Sequence, residues 1–175
     1  IYAKSKLAGE QAVLAANADA LIARVNFYGW SLKGRRSLSE FFFNNLQAGK
    51  PMMGFTDVFF CPLLVNDLID ILLEMVAANL SGVYHTLSRE CLSKYQFGCA
   101  LAKQFGLDAA LIQPVSVLDS ALVAARSPNL NLSTQKLTAA LGHALPDQQQ
   151  GIERYFSIYQ HGFREKISAL DVAAG

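Results

Sequence analysis

The chain is 175 residues long, 52% hydrophobic and 17% charged, with a formal net charge of +1. That length is one domain or part of one, and the balance excludes a disordered chain, which would be apolar-poor and strongly charged. The near-zero charge argues against a dedicated nucleic-acid binder, whose surface carries a basic excess.

Tyr2 to Ala16 is rich in Ala, Leu, Lys, Glu and Gln and lacks proline, which predicts a helix. Leu7, Val13 and Leu14 supply its apolar stripe, Lys4, Glu10 and Gln11 its wet side, and Asn17 and Asp19 its end. Ala20 to Tyr28 predicts one buried strand, left at Gly29 for a basic loop of Lys33, Gly34, Arg35 and Arg36. Ser37 and Glu40 form a capping box that opens a second helix, closed by Gly49 and Pro51. Met52 to Val65 predicts extended chain with turns at Gly54 and Pro62.

Asn66 is the expected cap of a helix with Leu68, Ile69, Leu72, Met75 and Val76 inside and Asp67, Asp70 and Glu74 in water. Val83 to Leu87 predicts a strand. Ser93 with Gln96 makes a second capping box, and Gly106 stops that helix. Leu111 to Val117 predicts a strand broken by Pro114. Leu132, Ser133 and Leu137 suggest another capped helix ending at Gly142, and a last helix is expected from Pro146 to about His161. Strands alternating with helices predict an α/β fold.

Cys61, Cys91 and Cys99 form an odd set with no CxxC spacing, which points to inert buried thiols in a reducing compartment. The apolar run 58–65 is too short to cross a bilayer. A cytoplasmic protein without a membrane partner is the expectation. The chain starts at Ile1, with Tyr2 already in a helical pattern, and is read as a fragment.

Tyr2 and Lys6 are four residues apart, so on a helix both reach one site. A free phenol ionises near pH ~10, and a neighbouring ammonium group favours its charged form. Such a pair can protonate a carbonyl oxygen as hydride reaches the carbon, or run the reverse reaction. The spacing alone is weak, because a chain of this composition yields roughly 0.3 such pairs by chance. Lys33, Arg35 and Arg36 are read as a solvated basic loop. His85, His143 and His161 have no partner spacing for a metal site or triad, and Tyr155 and Tyr159 fit core positions.

The stretch Tyr-Ala-Lys-Ser-Lys-Leu-Ala-Gly-Glu-Gln-Ala-Val from Tyr2 to Val13, with Leu-Ile-Ala-Arg-Val-Asn-Phe-Tyr-Gly-Trp from Leu21 to Trp30, closely resembles the extended short-chain dehydrogenase/reductases. The nearest branch is the dTDP-4-dehydrorhamnose reductases. Val65-Asn66-Asp67-Leu68, Gly82-Val83-Tyr84-His85, Ser93-Lys94-Tyr95-Gln96-Phe97 and Arg126-Ser127-Pro128-Asn129-Leu130 also resemble it, so the likeness covers nearly the whole chain.

The resemblance implies the C-terminal part of a Rossmann-type fold. Residues 1–30 would be the remainder of the Rossmann core with the catalytic helix, and 31–175 mainly a small mixed α/β substrate-binding region. It implies Tyr2 as general acid, and Lys6 lowering its pKa and holding the nicotinamide ribose. Phe27 would lie beside the cofactor and Asn26 would contact the sugar. Arg126 is either a diphosphate contact or a surface arginine. Trp30 departs from the proline common after the Tyr-Gly pair.

The implied cofactor is NADP or NAD. No glycine-rich turn for its pyrophosphate occurs here, so that half of the site is expected upstream of Ile1 and the fragment alone is expected to be inactive. The implied partner is a sugar nucleotide, with a homodimer left open. Three functions fit: reduction of a 4-keto sugar nucleotide, an NAD-dependent sugar-nucleotide epimerase or dehydratase, and a regulatory subunit resembling the beta subunit of methionine adenosyltransferase.

Overall fold

A computed structural model describes residues 2–119 and 129–173. Helix α1 (Tyr2–Ala16) turns tightly, with Ala20 N donating to Asn17 O, into β1 (Leu21–Val25) and β2 (Phe27–Tyr28). Then come α2 (Leu38–Gln47), β3 (Met52–Phe55), β4 (Phe59–Phe60), β5 (Leu63–Leu64) and α3 (Val65–Ala77). The chain continues through β6 (Gly82–Thr86), β7 (Leu92–Ser93), α4 (Lys94–Phe105), β8 (Ile112–Val115), α5 (Gln135–Leu141), α6 (Gln148–Gln160) and α7 (Phe163–Ala173).

Pairing is mostly parallel: β1 with β6 from Leu21↔Gly82 to Val25↔Thr86, β2 with β5, and β3 with β8, while β4 and β7 are antiparallel. Parallel partners far apart in sequence need crossovers, and the helices supply them. The α/β expectation holds.

One core gathers Tyr28, Trp30, Phe42, Phe43, Phe97 and Tyr155 among α2, α4 and α6. The Trp30 ring stacks on Tyr155 with centroids 4.2 Å apart, and Tyr28 meets Phe97 edge-on at 5.0 Å. Helices α2 and α4 approach closely because Gly98 has no side chain: a Cβ there would lie 2.6 Å from the Phe42 ring. A second core joins Leu63, Leu68, Ile71, Met75, Tyr84, Leu137 and Leu145 around α3 and β6.

Several local expectations need correction. The segment from Ala20 to Tyr28 is two strands, and β1 is half-exposed rather than buried. No residue of α1 is buried, so its apolar stripe faces outward among the described residues. Gly54 lies inside β3, where a Cβ would come within 2.9 Å of Ile112; close packing, not a turn, requires glycine there. Helix α3 begins after Leu64 without a side-chain cap, and the Asn66 Oδ1 atom is buried without a partner. The N-cap position of α5 is Thr134 rather than Ser133, whose Oγ still accepts from Gln135 N at 3.3 Å.

The helix expected from Pro146 to about His161 is present as α6, and beyond Gly162, with φ 71°, an unexpected further helix, α7, follows. Both capping boxes found in the sequence are present, at Ser37/Glu40 and Ser93/Gln96, and a third occurs at Asp147/Gln150. Cys61 and Cys91 form a disulfide with Cα atoms 4.2 Å apart, leaving Cys99 free. They continue the β4–β7 ladder one pair beyond Phe60↔Leu92, which is why residues 30 apart in sequence meet. The cysteine pattern therefore gives no argument for a reducing compartment. Among the described residues no helix is long and apolar enough to cross a membrane.

Candidate active site

Helix α1 and strand β1 run in opposite directions, so the start of the helix and the end of the strand lie at the same end. From Tyr2 to Ala16 the helix rises about 21 Å, and from Leu21 to Phe27 the extended chain covers about 20 Å. A bidentate ion pair fixes this arrangement midway: the Arg24 guanidinium donates to both Glu10 oxygens, at 2.6 Å for Nη2 to Oε2 and 3.0 Å for Nε to Oε1. The hydrogen bonds from Arg24 hold the Glu10 carboxyl below its ordinary range.

Tyr2 and Lys6 occupy the first turns of α1, and Lys6 Nζ lies 5.6 Å from the Tyr2 ring centroid. The four-residue spacing thus brings them together as expected. Tyr2 is 76% exposed and lies toward the end where β1 finishes. That end is where open parallel sheets bind ligands.

Asn26 links β1 to β2, and its carbonyl accepts from Leu63 N at 2.9 Å, which anchors the junction. Phe27 is 54% exposed, a free aromatic face beside that junction. Among the described residues no hydrogen bond or ion pair joins Asn26 or Phe27 to the Tyr2–Lys6 turn. Arg126 lies outside the described residues.

Tyr28, next in the chain, is a different kind of tyrosine. It is buried against Phe97 and Tyr155, and desolvation pushes its phenol far above the ordinary range. It stays protonated and is unsuited to proton transfer.

The loop after β2 is built on Glu40, a fully buried carboxylate. It accepts from Ser31 N and Ser31 Oγ, both at 2.7 Å, from Arg36 N at 2.9 Å and from Ser37 N at 3.0 Å. The capping box was legible in sequence; the remaining bonds were not, because nothing local shows Ser31 folding back nine residues.

The acidic face of α3 also needs correction. Asp67 is buried and, with Asp70, pairs with Arg154 of α6. Burial raises the Asp67 carboxyl's pKa, against the opposing pull of Arg154. Glu74 meets His143 Nε2 at 2.8 Å, an ion pair between residues 69 apart in sequence. Among the described residues no group of three or more His, Cys, Asp or Glu could hold a metal ion.

Comparison with known proteins gives this geometry a family. The model of the RmlD substrate binding domain matches residues 1–161. The chain belongs to that family.

Among curated relatives, the "Probable low-salt glycan biosynthesis reductase Agl14" of Haloferax volcanii is 31% identical over 90% of this chain and 55% of its own length. The methionine adenosyltransferase 2 subunit beta of Rattus norvegicus is 30% identical over 83% of this chain and 46% of its own. The dTDP-4-dehydrorhamnose reductase of Mycobacterium tuberculosis is 31% identical over 80% and 46%. The chain spans about half the length of the curated relatives it matches.

Solved structures agree on the fold. A dTDP-4-dehydrorhamnose reductase from Clostridium acetobutylicum superposes with a TM-score of 0.82 at 21% identity, covering 91% of this chain and 55% of that one. The Bacillus anthracis reductase, in complex with NADP, gives 0.80 at 22%, covering 89% and 54%. The RmlD fold of this chain is accordingly Rossmann-like.

Proposed function

We propose that the protein carrying this RmlD domain reduces the 4-keto group of a sugar nucleotide with NADPH or NADH. The observation that carries the reading is the Tyr2–Lys6 pair, exposed at the carboxyl end of β1 in a chain of this family. Its residues fit a nicotinamide nucleotide: Tyr2 and Lys6 offer donors for ribose hydroxyls, and the exposed Phe27 ring offers an apolar face. A bound nicotinamide would supply the hydride.

The chain's own part is then proton delivery and orientation. Tyr2 Oη donates its proton to the forming alkoxide oxygen, and the Lys6 ammonium stabilises the charge left on the phenol oxygen. Asn26, held by its carbonyl bond to Leu63, positions the sugar. Arg126 is offered as a diphosphate contact. A cytoplasmic location and a homodimer belong to the same reading.

The likeness to the methionine adenosyltransferase 2 subunit beta favours one alternative, a regulatory subunit that binds without turnover. Steady-state oxidation of NADPH and NADH, assayed with dTDP-4-dehydrorhamnose and other 4-keto sugar nucleotides, separates them. Stoichiometric oxidation with product alcohol supports the reductase; binding without turnover supports the regulatory subunit. Substrate conversion without net oxidation would indicate an epimerase or dehydratase.

A further inference from the structure

The basic loop that follows β2 does not stand alone in solvent. Residues 32–35 face α7 across an open cleft of about 460 Å³, lined by Leu32, Lys33, Gly34, Arg35, Arg164 and Ser168. Arg164 lies 129 residues beyond Arg35 in the chain, and no local pattern groups them.

Both walls of the cleft are fixed. One is held from beneath by the four hydrogen bonds to the buried Glu40 carboxylate. On the other, the Arg164 guanidinium lies 5.3 Å from the Trp30 ring centroid and 5.1 Å from that of Phe43. A single amide ties the walls together: Asn44 Nδ2 donates to Gly34 O at 2.7 Å, while Asn44 Oδ1 accepts from Arg164 Nη2 at 2.8 Å.

Guanidinium groups held in one orientation lose little freedom on binding, and their planar fork matches phosphate oxygens. Among the described residues, Lys33, Arg35 and Arg164 form no salt bridge; the ion pairs involve Arg24, Arg89, His143 and Arg154 instead. Glu40, the carboxylate nearest this loop in the hydrogen-bond network, is already occupied by four donors. The cleft thus gathers positive charge around one guanidinium, that of Arg164, which is already held in place.

We propose that Lys33, Arg35 and Arg164 form an anion site for the phosphate or diphosphate group of a small molecule. The site rests on the contacts of this cleft and not on Tyr2, so loss of reductase activity would leave it standing.

Inorganic pyrophosphate is the probe, titrated into the chain by calorimetry at constant ionic strength, with a parallel titration of dTDP. Trp30 is the chain's single tryptophan, so its fluorescence localises the event beside Arg164. The expected result is saturable binding accompanied by a Trp30 signal. The Kd should be weakened about tenfold or more by Lys33→Gln with Arg35→Gln, and by Arg164→Lys, which keeps the charge but loses the fork. Lys103→Gln, in the last turn of α4, should leave it unchanged.

Equal Kd values for pyrophosphate and dTDP assign recognition to the phosphates alone; tighter dTDP binding that retains the loss in these variants assigns the diphosphate of a nucleotide. No saturable heat, or a Kd unaffected in both the double variant and Arg164→Lys, would overturn the site.

Discussion

Glu40 and His143 show how single side chains hold this molecule in ways their own neighbourhoods do not announce. Glu40 satisfies four donors from a position with no exposed surface. Removing it strands those groups, and a buried unpaired donor costs about 1–3 kcal/mol. Glu40→Ala should therefore lower the unfolding free energy by about 2–4 kcal/mol in urea titration, with Glu40→Gln losing less because one acceptor remains.

His143 accepts a different test. The backbone carbonyl of Ala144 and the Glu74 carboxylate raise its pKa above the ordinary histidine value. A raised folded-state value means the stabilisation is fully present below about pH 6.5 and is lost as pH rises through the folded-state midpoint. An NMR titration should place that midpoint above the free-histidine value, and Glu74→Gln should move it down. An unmoved midpoint would remove Glu74 as a cause.

At the scale of elements, contacts set the boundaries wherever sequence patterning misjudged them. The capping boxes at Ser37/Glu40 and Ser93/Gln96 were readable because every bond they make is local. The role of Gly54 was not, since the reason for glycine is a side chain on β8 nearly 60 residues away. Asp67 looked solvated for the same reason, its partner Arg154 lying on α6. Gly98 makes the point quantitatively. A methyl group there must displace the fully packed Phe42 ring, so Gly98→Ala should destabilise by about 1–3 kcal/mol despite its gain in helix propensity. Thermal unfolding measures the balance, and a stabilised variant would show that α2 and α4 can move apart freely.

For the whole molecule, alternating periodicity was enough to reveal an α/β chain, because parallel strands and their crossovers leave that mark. The proximity of Tyr2 and Lys6 was legible from their four-residue spacing. The depth of Phe27 and Tyr28 was not, for these adjacent residues differ only in which face of β2 they occupy: one is exposed, the other sealed into the aromatic core. The Cys61–Cys91 bridge was hidden too, because it depends on the β4–β7 register.

With Tyr2 proposed as the acid, its phenol hydroxyl can be removed with little structural consequence because the side chain is so exposed. The decisive measurement compares NADPH oxidation by a 4-keto sugar nucleotide in the full-length protein that carries this domain and in its Tyr2→Phe variant, alongside their thermal unfolding. The expected result is a fall in kcat of roughly 10²–10⁴-fold at an unchanged Tm. Unchanged turnover in Tyr2→Phe would contradict it.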